Sequence, residues 1–150
     1  MDSVERSGGP ALKPRRDGLL TNRRARQAVV SKLRERGYEV PSFATDTGRI
    51  GAFPVVSPAR RLTFLLEVRG LYRLNPWIIK TRAERDDLFY VLALVPDDGP
   101  TRLFVLTQAQ VYAFRREELE RHKRPADYHA PGVLLRQVKA YEDAWDVLPS

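Results

Sequence analysis

Glu67 and Arg69 stand two residues apart in the run LTFLLEVR at residues 62–69, and Trp77 and Lys80 follow shortly after. Along a strand, residues two apart project from one face, so a carboxylate is set beside a guanidinium while Phe64, Leu66 and Val68 turn to the other side. The plain reading of such a pair is an ion pair along the strand. The chemical reading is a hard oxygen ligand for a divalent cation next to a group that grips phosphate bidentately. One carboxylate makes a weak magnesium site unless substrate phosphate completes it. The nearest upstream acids are Glu39 and Asp46; the second lies in the turn Asp46-Thr47-Gly48, where it also has a structural explanation.

Other chemistries find little support. The chain has no cysteine, which removes disulfides, thiolate metal sites and cysteine nucleophiles. His122 and His129 are seven apart in a polar loop, without helical metal spacing. Gly48-Arg49-Ile50-Gly51 lacks the spacing and the following helix of a phosphate-binding loop. Asp97-Asp98-Gly99 reads as a turn, and Ser31, Ser42 and Ser57 have no strand-to-helix elbow around them.

The elements that must position Glu67 are legible in outline. At 150 residues, with 43% hydrophobic and 30% charged residues, the chain suits one folded domain. Residues 1–20 mix glycine and proline with Arg6, Lys13, Arg15 and Arg16 and form a basic arm ahead of a domain at 21–150. Thr21 or Asn22 is expected to cap a helix with Ala25, Val29 and Leu33 on its seam, stopping near Gly37. Arg23, Arg26, Val30 and Arg34 make a second, basic stripe that is expected to point away from that seam. Residues 38–45 and 51–57 read as a hairpin leading to the strand at 62–69. A short polar helix is expected over 81–87, strands over 89–95 and 102–106, and a helix from the Thr107/Gln110 capping box to about Arg121. A final helix is expected over 133–148. Helices at both ends of a strand block argue for an α/β sandwich around one sheet.

The order of these features resembles the PD-(D/E)xK restriction-endonuclease-like superfamily, above all its small proteins in which a strand ending in Val-Lys precedes a Trp-x-x-Lys linker. The segment carrying the likeness is GRIGAFPVVSPARRLTFLLEVRGLYRLNPWIIK, followed by Asp87-Leu88-Phe89-Tyr90-Val91, by Phe104-Val105-Leu106-Thr107 running into a capped helix, and by Trp145. The resemblance implies an α/β/α sandwich with a central mixed sheet of about five strands flanked by helices. It also implies a nuclease site in which two acids hold Mg²⁺ or Mn²⁺, a water is activated and a lysine offsets charge on the scissile phosphate.

Against that pattern Glu67 keeps the acid of (D/E)xK, whereas Arg69 stands at the lysine position and cannot serve as a neutral amine. The first acid of the pattern falls near Phe53 or Pro54, and the acid expected after Ala25 in the opening helix is Arg26. The resemblance therefore implies a vestigial, non-catalytic nuclease-like domain that binds nucleic acid without sequence preference, DNA ahead of RNA, through Arg23, Arg26, Arg34, Arg69 and Lys80. It would need no cofactor. A net charge of +7 accords with a phosphate-rich partner. The alternative is a working Mg²⁺- or Mn²⁺-dependent endonuclease with a migrated acid, in which Asp46 or Glu39 joins Glu67 and Arg69 or Lys80 is the cationic group. A third reading is an interaction domain, with the apolar run 89–95 serving either a homodimer or a buried central strand. No signal peptide or spanning run is apparent, and a reducing cytoplasm is the expected compartment.

Overall fold

The computed structural model describes residues 18–45, 51–125, 128 and 132–150. The basic arm up to residue 17, Asp46 with its turn, and His129 lie outside the described residues.

Helix α1 spans Gly18–Glu35 and buries Ala25, Val29 and Leu33, the seam expected from their four-residue spacing. It begins ahead of Thr21 and Asn22, so neither caps it. The Asn22 Oδ1 instead accepts the backbone N–H of Gly70 at 2.8 Å, joining helix to sheet. Gly37 ends the helix at a positive φ of 88°, with Gly37 N–H donating to Arg34 O and Tyr38 N–H to Leu33 O. This paired arrangement satisfies carbonyls that the helix leaves open, and it requires a left-handed residue that glycine supplies without strain. The basic stripe does not point to solvent as a unit: Arg26 and Val30 are buried, and only Arg23 and Arg34 are exposed.

The central sheet is mixed and has four strands, β1 (Ala52–Val56), β2 (Thr63–Leu71), β4 (Leu88–Leu94) and β5 (Arg102–Thr107), side by side in that order. β1 and β2 are antiparallel, β2 and β4 parallel, β4 and β5 antiparallel. The two remaining strands, β3 (Trp77–Ile78) and β6 (Gly132–Val133), pair in a separate two-stranded sheet. The sequence reading of about five strands in one sheet is thus corrected to four. Residues 38–45 contribute a single bridge, Glu39 to Val56, and then a 3-10 turn at Ser42–Thr45. Pro41 has no N–H to continue a ladder there.

Parallel strands need a crossover, and residues 72–87 supply it between β2 and β4. The helix expected over 81–87 does not form. Helix α2 (Gln108–Arg121) opens at the expected box: Thr107 accepts from the Gln110 N–H at 3.1 Å and donates its own N–H to Gln110 Oε1 at 2.9 Å. The expected C-terminal helix breaks into α3 (Leu135–Val138) and two 3-10 turns, Lys139–Tyr141 and Trp145–Val147. The sheet edge outcompetes helix at this point. Glu142 bridges Phe104, Asp143 N–H donates to Leu103 O at 2.9 Å, and Arg102 grips the Glu142 carboxylate at 2.7 and 3.0 Å.

Both sheet faces are covered. Phe64, Leu66, Val68, Phe89 and Val91 pack with α1 on one side, and Tyr90, Leu92, Phe104 and Leu106 pack with Val111 and Tyr112 of α2 on the other. β4 is interior and its side chains are buried except the half-buried Leu94, so the run 89–95 forms a central strand. No helix among the described residues is long and apolar enough to cross a membrane.

Candidate functional site around Glu67

Alternation along β2 turns Glu67 and Arg69 into the α2 layer, opposite the Phe64, Leu66 and Val68 face. Glu67 is 2% exposed, and a buried carboxylate requires partners to offset its lost hydration. Each of its oxygens faces a guanidinium, although among the described residues only Oε2 accepts a hydrogen bond. The Arg69 Nη1 donates to Oε2 at 3.2 Å, and the Arg82 Nη2 stands 3.0 Å from Oε1 as a close ion-pair contact. Arg69 is itself nearly buried, whereas the Arg82 side chain is 41% exposed. One side of the clamp is therefore sealed and the other reaches water.

Tyr90 lies beside Glu67 across the parallel pair β2–β4 and is wholly buried. Burial first, and then the negative charge of Glu67, pushes its phenol above the usual tyrosine range, so Tyr90 stays neutral. On the other flank Ala52 is the residue opposite Glu67, while Phe53 and Pro54 pair with Leu66 and Leu65. Pro54 shares the Glu67 face of the sheet with Ala52, and neither side chain can bind a cation. Phe53 belongs to the α1 layer and does not face Glu67.

Arg26 is 4% exposed and serves the backbone. Its Nη2 donates to Gly51 O at 2.8 Å, its Nη1 reaches Ala44 O at 3.4 Å, and the guanidinium lies 5.1 Å above the Phe53 ring. Burial lowers its pKa and the charge of Glu67 partly restores it. Its hydrogen bonds to Ala44 and Gly51 hold residues on either side of 46–50, and they leave it a pin rather than a surface group.

The remaining sequence candidates separate. Glu39 bridges Val56 and pairs with Arg61 at 3.6 Å, whereas Glu67 lies opposite Ala52. Four residues of strand, on the order of 13 Å, separate those levels, so Glu39 does not join Glu67. Arg23 and Arg34 are exposed on α1, roughly 16 Å apart along its axis and in the layer opposite Arg69. Lys80 is exposed and contributes its carbonyl to Tyr112 Oη at 3.3 Å. Arg82, two residues further, holds the position beside Glu67 that the sequence reading gave to Lys80. Residue parity does not separate Arg82 from Lys80, since residues two apart share a side of an extended chain, and the expected helix over 81–87 hid the linker's path.

Among the described residues no three acids or histidines gather to hold a metal ion. The groups around Glu67 do not fit a divalent cation either, because each carboxylate oxygen already faces a guanidinium at contact distance. What the arrangement can do is fix two arginines in place and turn one of them outward. Comparison of the chain with protein-family models, with curated proteins and with solved structures gives no significant match.

Proposed function

We propose that this chain is a non-catalytic domain of PD-(D/E)xK nuclease-like ancestry that binds nucleic acid through phosphate, DNA ahead of RNA. The observation that carries this reading is the occupation of Glu67 by Arg69 and Arg82. Where a nuclease needs a carboxylate to hold a cation, here the carboxylate orients guanidinium groups. A guanidinium pre-positioned by a buried acid presents its outer N–H donors to a phosphate oxygen at little further entropic cost. The overall charge of +7 adds long-range attraction to a polyanion.

The test pairs two measurements on the purified chain. Supercoiled plasmid with Mn²⁺ or Mg²⁺ should remain intact, with a Glu67→Ala preparation controlling for contaminating nuclease. Fluorescence anisotropy with a labelled DNA duplex should show binding that weakens steeply with salt. Metal-dependent nicking by the parent alone would replace this reading with a working endonuclease. Absence of binding at low salt would remove the nucleic-acid partner altogether.

A further inference from the structure

Residues 79–87, between β3 and β4, form neither helix nor strand, and α2 supplies hydrogen bonds that a ladder would otherwise make. Tyr112 Oη accepts the Arg82 N–H at 2.6 Å, and its own hydrogen faces the carbonyls of Lys80 and Arg82 at 3.3 and 3.4 Å. Gln108 Oε1 accepts the Arg85 N–H at 2.7 Å, while its Nε2 donates to Ala83 O at 3.0 Å. Residues 108 and 112 stand about one turn apart on one face of α2, so the two side chains grip the linker together. Both are buried, whereas Lys80, Arg82, Ala83 and Arg85 are exposed. The polar atoms of Gln108 and Tyr112 thus serve the path of the linker.

That path decides where Arg82 points. Its guanidinium faces Glu67 Oε1 at 3.0 Å and its backbone is tied to Tyr112, yet the side chain remains 41% exposed. An arginine fixed at both ends meets a phosphate oxygen with much of its conformational entropy already lost in folding. We infer that Tyr112 and Gln108 are positioning residues for phosphate binding: through the linker backbone they set Arg82 where Glu67 can turn it outward. The inference rests on the proposed function and deepens it, because it gives two buried side chains of α2 a part in affinity for nucleic acid.

The test is a double-mutant cycle read by fluorescence anisotropy with a labelled DNA duplex at low salt. Arg82→Ala should weaken binding by about tenfold or more, the loss of a charge-assisted contact. Tyr112→Phe should weaken it roughly two- to tenfold, the worth of one hydrogen bond. Arg82 is exposed, so water can replace the lost hydroxyl at its N–H, and Tyr112→Phe should fold normally by circular dichroism. In the Arg82→Ala background Tyr112→Phe should leave affinity unchanged, because the side chain it positions is gone; a merely structural role would weaken binding equally in both backgrounds. Tyr112 also borders the buried Tyr90 hydroxyl, so Gln108→Leu supplies a second cycle with the same expectation, and it decides the question should Tyr112→Phe fail to fold. Losses that add in either cycle, no loss from either variant in the parent background, or an Arg82→Ala variant that binds as tightly as the parent overturn the inference and leave the proposed function standing. A parent that binds no duplex removes the proposed function, and the positioning role with it.

Discussion

Replacing Glu67 by alanine tests whether this carboxylate is an internal clamp or a ligand waiting for a cation. Removing one partner of a buried pair costs about 3–5 kcal/mol, mostly because the other charge is left without compensation. The two arginines share that cost unequally. Arg69 is 11% exposed and has little room to find water, whereas the Arg82 side chain at 41% can swing outward. The expected loss therefore lies near the lower end, about 3 kcal/mol, a large part of the roughly 5–15 kcal/mol that stabilises a domain. With a urea slope of about 2 kcal/mol/M, the unfolding midpoint should fall by roughly 1.5 M. Glu67→Gln keeps an acceptor and should lose about half as much. A double-mutant cycle with Arg69→Ala should return a coupling energy of about 1–3 kcal/mol. A midpoint shifted by less than about 0.5 M, or stabilisation by the substitution, would refute the clamp. So would a rise in the parent's melting temperature on adding millimolar Mg²⁺ that Glu67→Ala abolishes, since only a ligand bound to the folded state does this.

Three further outcomes are expected. Thr107→Ala removes the cap of α2 and should cost about 1 kcal/mol in equilibrium denaturation, while Thr107→Ser should be nearly silent. A Cβ added at Gly70 meets Ala25 Cβ at 3.0 Å and the Thr21 carbonyl at 3.1 Å, so Gly70→Ala should push α1 off β2 and lower stability by about 1–3 kcal/mol; unchanged melting would mean that the helix shifts freely. The Arg102 guanidinium holds the Glu142 carboxyl below its ordinary value of 4.5, so its stabilising contribution is present above that pH and is lost as acid protonates the folded form. With both side chains about one-third exposed, Glu142→Gln should cost only about 0.2–1 kcal/mol at pH 7, a difference that shrinks as pH falls below the ordinary carboxyl range; a difference unchanged throughout acid titration would contradict the pair.

Local pattern was legible wherever local pattern decided the structure. The period-two run around Glu67, the Thr107 box and the Gly37 stop each concern residues within one or two turns of chain, and each formed as expected. Tertiary contacts decided the rest. Arg26 looks like a surface residue by type, yet it is buried because two backbone carbonyls, eighteen and twenty-five residues away, need donors. Residues 81–87 have the composition of a polar helix, but Gln108 and Tyr112 of a later helix claim their backbone groups. Glu67 was identifiable as the central acid. Its partnership with Arg82 depends on a linker path that sequence spacing does not encode.

The isolated bridge between Glu39 and Val56 has a bearing on how this protein behaves at high concentration. β1 is an edge strand, and its alternate residues Ala52, Pro54 and Val56 share the outward backbone direction, because the Val56 N–H donates to Glu39 O. Of the three donors that an approaching strand would seek, Pro54 has none and the Val56 group is already committed. At the opposite edge the Phe104–Glu142 bridge and the Asp143 N–H occupy part of β5 in the same way. A sheet finished like this gives an incoming chain almost nothing to template on, so neither fibrillar stacking nor domain-swapped sheet extension should accompany its crowding on a polyanion.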